Sequence, residues 1–245
     1  MIDFSNKVVL ISGASSGIGL AIARALDENG AQVVLQGIDE VSLKKVSSEF
    51  NKKPLIIVGD IGDFGVCERA INQSITEFGK LDIVIANAGI YLTKDGWKVP
   101  PTQINQIVSV NILGVFHLTH EAIKHFIKVG GGDIIVTSSV AGLVDVAHEA
   151  VYSATKNAVT SFVNSTRSSV AGKNIRIGSV EPGYVQTPLW VTNPEISGAA
   201  IPELVENNRA LLPTDVANAM LFMLTQPRHV NIRDIVILPT DQKFS

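Results

Sequence analysis

Runs of consecutive apolar, mostly β-branched residues recur along the chain at 8–11, 32–35, 55–58, 83–86, 133–136, 175–180 and 234–238. Continuous rather than alternating apolar character marks strands covered on both faces, as in a parallel sheet. Between these runs lie longer segments, near 17–29, 40–50, 65–78, 103–128, 150–172 and 214–226, that read as helices. Regular alternation of the two types predicts right-handed crossovers between parallel strands. The expected fold is therefore α/β: one domain over 1–245, with a doubly wound parallel sheet of about seven strands and helices on both faces. One stretch breaks the rhythm. Residues 183–213 are rich in Pro, Gly and Asn and too long for an idle connection, which predicts a substrate lid.

Composition narrows the classes of function. Hydrophobic residues make up 46% of 245, enough for a sizeable core. The net charge of -3, with Lys and Arg scattered, leaves no footprint for nucleic acid or an anionic membrane. A single cysteine, Cys67, excludes an intrachain disulfide and reads as a small buried hydrophobe. No apolar run reaches the roughly 18 residues of a membrane span. The first seven residues lack a signal-peptide pattern, so a cytoplasmic location is expected. His117, His120 and Glu121 have helical spacing, but no third ligand clusters with them, and no metal is expected.

Two motifs carry chemistry. The first strand runs into Ser12-Gly13-Ala14-Ser15-Ser16-Gly17-Ile18-Gly19 and then into an apolar helix. Glycines there let the backbone approach a pyrophosphate at a helix N-terminus, although the spacing is GxxxGxG rather than GxGxxG. Tyr152 and Lys156 lie four residues apart, on one face of a helix. Such a pair usually marks only a solvated face. A neighbouring ammonium can also lower a phenol's pKa from its reference of about 10 and fit it for proton transfer.

Taken together, the motifs resemble the short-chain dehydrogenase/reductase family over essentially the whole chain. The marks occur in register: the glycine turn at 12–19, Asp60-Ile61, Asn87-Ala88-Gly89, Asn111, Ser138-Ser139, Tyr152 with Lys156, and Pro182-Gly183 with Val185 and Thr187. The resemblance implies a single-domain Rossmann fold and an NAD(P)-dependent oxidoreductase acting on a secondary alcohol or ketone. It implies Tyr152 as proton donor and acceptor, and Lys156 as the group that tunes it and holds the nicotinamide ribose. Ser139, thirteen residues before the tyrosine, would bind the substrate oxygen, with Ser138 as second choice. Asn111 would hold a water that links Lys156 to solvent. Gly13, Ser15, Ser16, Gly17, Ile18 and Gly19 would cradle the pyrophosphate. Asp60 and Ile61 would flank the adenine, while Asn87, Ala88 and Gly89 would let the cofactor lie against the fourth strand.

The cofactor discriminator departs from the family pattern. The family's NAD-reading acid is replaced by Gly37, and neither Ser16 nor Ile38 is basic, as NADP would favour. Asp39 is either the acid of the generic fingerprint or the N-cap of the next helix. A buried 2′-phosphate without a cation is costly, which favours NAD over NADP.

Two stretches are similar to ribitol dehydrogenase: Ala86-Asn87-Ala88-Gly89-Ile90-Tyr91 and the ending 231–239. They suggest a polyol such as ribitol, with Glu149 and Trp190 joining Ser139 and Tyr152 as substrate-binding residues. His148 and Glu149 are read either as surface or as pocket lining. The alternatives are a reductase of bulkier apolar ketones, suggested by 189–191, a 3-hydroxy acid dehydrogenase, and a non-enzymatic nucleotide-binding regulator. Ala154, Ala158, Phe162 and Val163 exceed what one buried helix face requires. With the family's habit of pairing these helices, they suggest a homo-oligomer, tetramer or dimer.

Overall fold

The computed structural model describes residues 3–146, 148–191, 207 and 209–242. All seven expected strands are present: β1 (Val8–Ser12), β2 (Gln32–Gly37), β3 (Leu55–Val58), β4 (Ile83–Ala86), β5 (Gly132–Thr137), β6 (Ile175–Pro182) and β7 (Asp234–Ile237). They form one sheet in the order β3-β2-β1-β4-β5-β6-β7, parallel throughout. The helices are α1 (Gly17–Glu28), α2 (Glu40–Ser47), α3 (Phe64–Phe78), α4 (Pro101–Val108), α5 (Val115–Val129), α6 (Ala150–Ser169), the short α7 (Pro188–Val191) and α8 (Pro213–Thr225). Among the described residues, no helix is long and apolar enough to cross a membrane.

Alternate residues of the central strands feed two cores. Val9, Ile11, Val33 and Leu35 pack with Ile22 and Leu26 of α1 and with Val216 and Met220 of α8. Val8, Leu10, Val34 and Val84 pack with Cys67 of α3, Leu118 and Phe126 of α5, and Val159 of α6. Both faces are covered, and for that reason the strands read as unbroken apolar runs. Each fully buried Leu or Ile is worth roughly 1.5–3 kcal/mol. An exposed pair such as Lys44–Glu40 contributes about 0–1 kcal/mol, so the cores hold the layers together. Cys67 is fully buried, and burial pushes its thiol up to about 12, an inert group.

Two sequence expectations need correction. The helix read at 103–128 is α4 and α5 separated by a π-helical turn, Ser109–Gly114. Val163, taken as surplus surface, is wholly buried in the second core, whereas Ala154 is exposed and Ala158 and Phe162 are half-buried. Much of the expected lid lies outside the described residues, since 192–206 and 208 are not among them. The ends of that segment are tied together: Gln186 N donates to the Leu211 carbonyl at 2.8 Å and Leu211 N to the Tyr184 carbonyl at 2.7 Å.

Glu181, near the end of β6, is buried without exposure, and neither carboxylate oxygen closes a full-strength hydrogen bond. Burial raises its pKa from 4.5 to about 7, with Asp234 adding to the effect; Ser179, Arg233 and the Ile235 amide oppose it in part. The folded chain therefore binds more protons than the unfolded chain between those values. Stability falls as pH rises from about 4.5 to about 7 and levels off above, a loss of up to about 3 kcal/mol. Glu181→Gln removes this slope. Thermal unfolding should show the variant gaining several degrees on wild type between pH 5 and pH 8. A difference in melting temperature that does not change with pH would contradict the assignment.

Candidate active site

The strand order reverses between β1 and β4. Crossovers leave these two strands in opposite directions, so their C-terminal ends open a crevice. A cavity of about 510 Å³ lies there. The turn after β1 forms its floor. Gly13 has φ +64°, and a Cβ on it would lie 2.8 Å from the Ala88 Cα, so the turn rests directly on the continuation of β4. Gly13, Ser15, Ser16, Gly17 and Ile18 line the cavity. Gly19 does not; a Cβ there would lie 2.2 Å from the Gly13 carbonyl oxygen, and its role is to close the turn from behind. The free amides and dipole at the α1 N-terminus face the crevice and suit an anion.

Side chains from three strand ends knot this floor. Asn87 Nδ2 donates to the Ser12 carbonyl at 3.1 Å, and Asn87 Oδ1 accepts from Thr137 Oγ1 at 3.1 Å. The Ser12 hydroxyl accepts from the backbone amides of Asn87 and Ala88, each at 3.0 Å. Asn87, Ala88 and Gly89 line the cavity as expected. Ser12 and Thr137 were not singled out from sequence, where each reads as an ordinary strand end.

At one end of the cavity stand Gln36, Gly37, Ile38, Asp60 and Ile61. Asp39 is absent from this wall. It caps α2, accepting from Val41 N at 3.0 Å and Ser42 N at 3.3 Å, which decides between its two readings. Asp60 Oδ1 accepts from Gly62 N at 2.9 Å. Gln36 was missed by the sequence reading. Its Nε2 donates to the Gly59 carbonyl at 2.7 Å, which fixes the amide orientation. Gln36 lines the cavity, and its Oε1 is buried with no hydrogen-bond partner among the described residues. A buried acceptor left open beside an anion-ready turn fits the hydroxyls of a nucleotide ribose. Cradle, orphan acceptor and cavity together suit a dinucleotide.

The other end collects the expected chemistry. Tyr152 and Lys156 are both buried on α6, with Lys156 Nζ 5.8 Å from the Tyr152 ring centre. Lys156 Nζ donates to the Thr137 carbonyl at 3.0 Å, and burial lowers its pKa to about 8. Burial likewise raises the Tyr152 phenol; Ser139 opposes this through a hydrogen bond, and the Glu149 charge adds to it. Burial is the largest influence on the phenol, and the expected lowering by Lys156 is not among the influences on it. Ser139 lies beside Tyr152, its Oγ accepting from Ala141 N at 3.1 Å. Ser138 Oγ turns instead to the Lys156 carbonyl and to Thr160 Oγ1, at 3.2 and 2.8 Å.

Asn111 lies outside the cavity wall, fully buried in the π turn. Its Oδ1 accepts from Ile90 N at 2.8 Å, and its Nδ2 donates to the Ile90 carbonyl at 2.9 Å and Thr155 Oγ1 at 3.2 Å. The extra residue of the π turn aims this amide at the chain leaving β4. Gly89 sits between Asn111 and Lys156: a Cβ there would be 3.4 Å from Asn111 Oδ1 and 3.6 Å from Lys156 Nζ.

Around Tyr152 the wall comprises Glu149, Tyr91, Tyr184 and Val146. Glu149 holds the N-cap position of α6, yet its carboxylate does not cap the helix. It accepts instead from the Tyr91 hydroxyl. His148 is exposed and pairs with Asp95 at 2.5 Å, so of the two residues only Glu149 is pocket lining. Pro182, Gly183, Val185 and Thr187 line the same cavity. Trp190 has its backbone in α7, and its side chain lies outside the described residues. His117 meets Phe64 edge-on at 5.3 Å, and Glu121 pairs with Lys124 at 2.9 Å.

A family model described as short chain dehydrogenase matches residues 7–196. An uncharacterized oxidoreductase of Staphylococcus epidermidis is 31% identical over 239 residues, covering 98% of this chain and all of its own. Another, from Staphylococcus aureus, is 32% identical over 244 residues with the same coverage. Among solved structures, a closed serine dehydrogenase complexed with NADP+ superposes with a TM-score of 0.91 at 27% identity, over 97% of both chains. A 3-ketoacyl-(acyl-carrier-protein) reductase from Brucella melitensis complexed with NADH gives 0.87 at 28%, over 97% of this chain and 99% of its own.

Proposed function

Since the chain belongs to the short-chain dehydrogenase family, a group of NAD(P)-dependent oxidoreductases, we propose that it interconverts a small polar secondary alcohol and its ketone beside Tyr152. The observation that carries this reading is convergence: Tyr152, Ser139 and Lys156 meet in the cavity whose other end is the glycine cradle. A bound nicotinamide supplies or accepts the hydride. Tyr152 holds the proton for the substrate oxygen, and burial keeps the phenol protonated, ready to donate toward a ketone. Ser139 hydrogen-bonds that oxygen as charge develops on it. Lys156, held by Thr137, presents its ammonium to the ribose and to the phenolate left after proton transfer. Asn111 braces the chain at Ile90, and the relay water assigned to it by resemblance would lie between it and Lys156.

NAD is the proposed cofactor rather than NADP. Ser16, Gly37 and Ile38 line that end of the cavity without a basic side chain among them, and a 2′-phosphate there would lack a cation. Glu149, buried beside Tyr152, supports hydroxylated substrates, with a polyol such as ribitol as the leading neutral class. The serine dehydrogenase and ketoacyl reductase likenesses keep hydroxy acids and larger ketones as alternatives, and Leu189 in the wall suits an apolar ketone. A cytoplasmic location and a homo-oligomer, tetramer or dimer, complete the proposal. The half-buried Phe116 and Phe162 rings, stacked with centres 3.9 Å apart, and the exposed Leu113 support a subunit contact on α5 and α6.

Tyr152→Phe should cut turnover about 10²–10⁴-fold while calorimetry shows NADH binding nearly unchanged. Turnover within tenfold of wild type would remove Tyr152 from its role. The ratio of kcat/KM for NAD over NADP should exceed about ten. Gly37→Asp should raise that ratio, since a Cβ there meets Leu43 only at 3.4 Å and needs no unusual φ. A tenfold NADP advantage in wild type would reverse the assignment. Light scattering at micromolar concentration should report a dimer or tetramer, and a monomer would sink the contact on α5 and α6.

A further inference from the structure

Three tyrosines surround one buried carboxylate at the substrate end of the cavity. Tyr91 donates its hydroxyl to Glu149 Oε1. Its ring meets the Tyr152 ring edge to face, with centres 4.8 Å apart. The charge of Glu149 acts on Tyr184 as well as on Tyr152. All four residues line the cavity, and Glu149 itself is 7% exposed.

Among the described residues, no cation offsets that charge. Burial raises the Glu149 pKa, and only the Tyr91 hydroxyl opposes it. Lys156 is the one described Lys or Arg in the cavity wall, and it is held by the Thr137 carbonyl at 3.0 Å. Arg209 acts on Tyr184 and forms no ion pair with Glu149. The α6 N-terminus offers about half a unit charge. Asp145 lines the wall too and adds negative charge.

A carboxylate buried without a cation is costly, and the faces of aromatic rings attract cations. We propose that this wall recognises an ammonium group: the substrate is an amino alcohol or the matching amino ketone, its protonated nitrogen against Glu149 and its hydroxyl-bearing carbon at Tyr152. The inference rests on the alcohol–ketone reading above and specifies the substrate's charge within it. In oxidation the carbinol C–H bond breaks with its electron pair leaving as hydride to oxidised NAD. The hydroxyl proton goes to Tyr152 as the phenolate, the phenol having first released its own proton to solvent, and the C–O bond becomes a carbonyl, leaving the ammonium unchanged. A neutral polyol can donate hydrogen bonds to Glu149 but leaves its charge uncompensated. A hydroxy acid meets like charge.

The test compares substrates of one skeleton at neutral pH with NAD. One set is 4-amino-2-butanol, 1,3-butanediol and 3-hydroxybutyrate; a shorter set is 1-amino-2-propanol, 1,2-propanediol and lactate. In at least one set the amine should lead the diol by about tenfold or more in kcat/KM, with the hydroxy acid lowest. Glu149→Gln should abolish the amine's lead, lowering the amine-to-diol ratio of kcat/KM by about tenfold or more whatever it does to the diol itself. Calorimetry on Tyr152→Phe with NADH bound should show the amine binding more tightly than the diol, independent of turnover. A diol equal to the amine, a leading hydroxy acid, or an amine advantage that survives Glu149→Gln would overturn the inference. Oxidation of diols but not amines defeats it alone. Failure with every alcohol, with NADH still bound, defeats the broader reading as well.

Discussion

The site depends on one topological constraint: the crevice where β1 and β4 send their crossovers to opposite sides. Backbone groups at such strand ends have lost their ladder partners and must find others. Asn87 meets that need by joining the Ser12 carbonyl to the Thr137 hydroxyl, while the Ser12 hydroxyl takes two amides from the far wall. The Thr137 carbonyl in turn receives Lys156. One chain of hydrogen bonds thus runs from the glycine turn to the ammonium. The proposed cofactor cradle and the proposed proton-transfer group are set by the same knot.

Burial governs the electrostatics around that knot. It lowers Lys156, raises Tyr152 and raises Glu149, each toward its neutral form. The three groups face a common cavity, so a charge placed on one changes the cost of charge on the others. An incoming cation beside Glu149 would ease ionisation of the carboxylate. The hydrogen bond from Ser139 then remains the main influence holding Tyr152 down. In the proposed reaction, substrate charge and proton transfer would be coupled through the buried wall they share.

The layers of the fold were legible because their causes are local or periodic. Unbroken apolar runs gave all seven strands, and the glycine turn marked the start of α1. The candidate catalytic positions come from motif register, with Ser139 preferred over Ser138; the two hydroxyls turn different ways at the end of β5. What escaped were contacts set by pairs distant in sequence. Thr137 and Asn87 are fifty residues apart, and Tyr91 and Glu149 fifty-eight. Gln36 reads as an unremarkable strand residue, and only the distant Gly59 carbonyl, which takes its nitrogen, leaves its buried oxygen without a partner among the described residues. The π turn at Asn111 escaped for a similar reason. Its buried amide pairs with the distant backbone of Ile90, a contact that no local pattern announces.

The most direct test of the account is a crystal structure of the protein with NAD. The account predicts the pyrophosphate over the amides of the turn from Gly13 to Gly17. It also predicts the adenosine ribose beside Gln36, and the nicotinamide ribose within hydrogen-bond reach of Tyr152 and Lys156. Density for the dinucleotide outside the crevice, or a nicotinamide turned away so that neither side chain reaches its ribose, would contradict it.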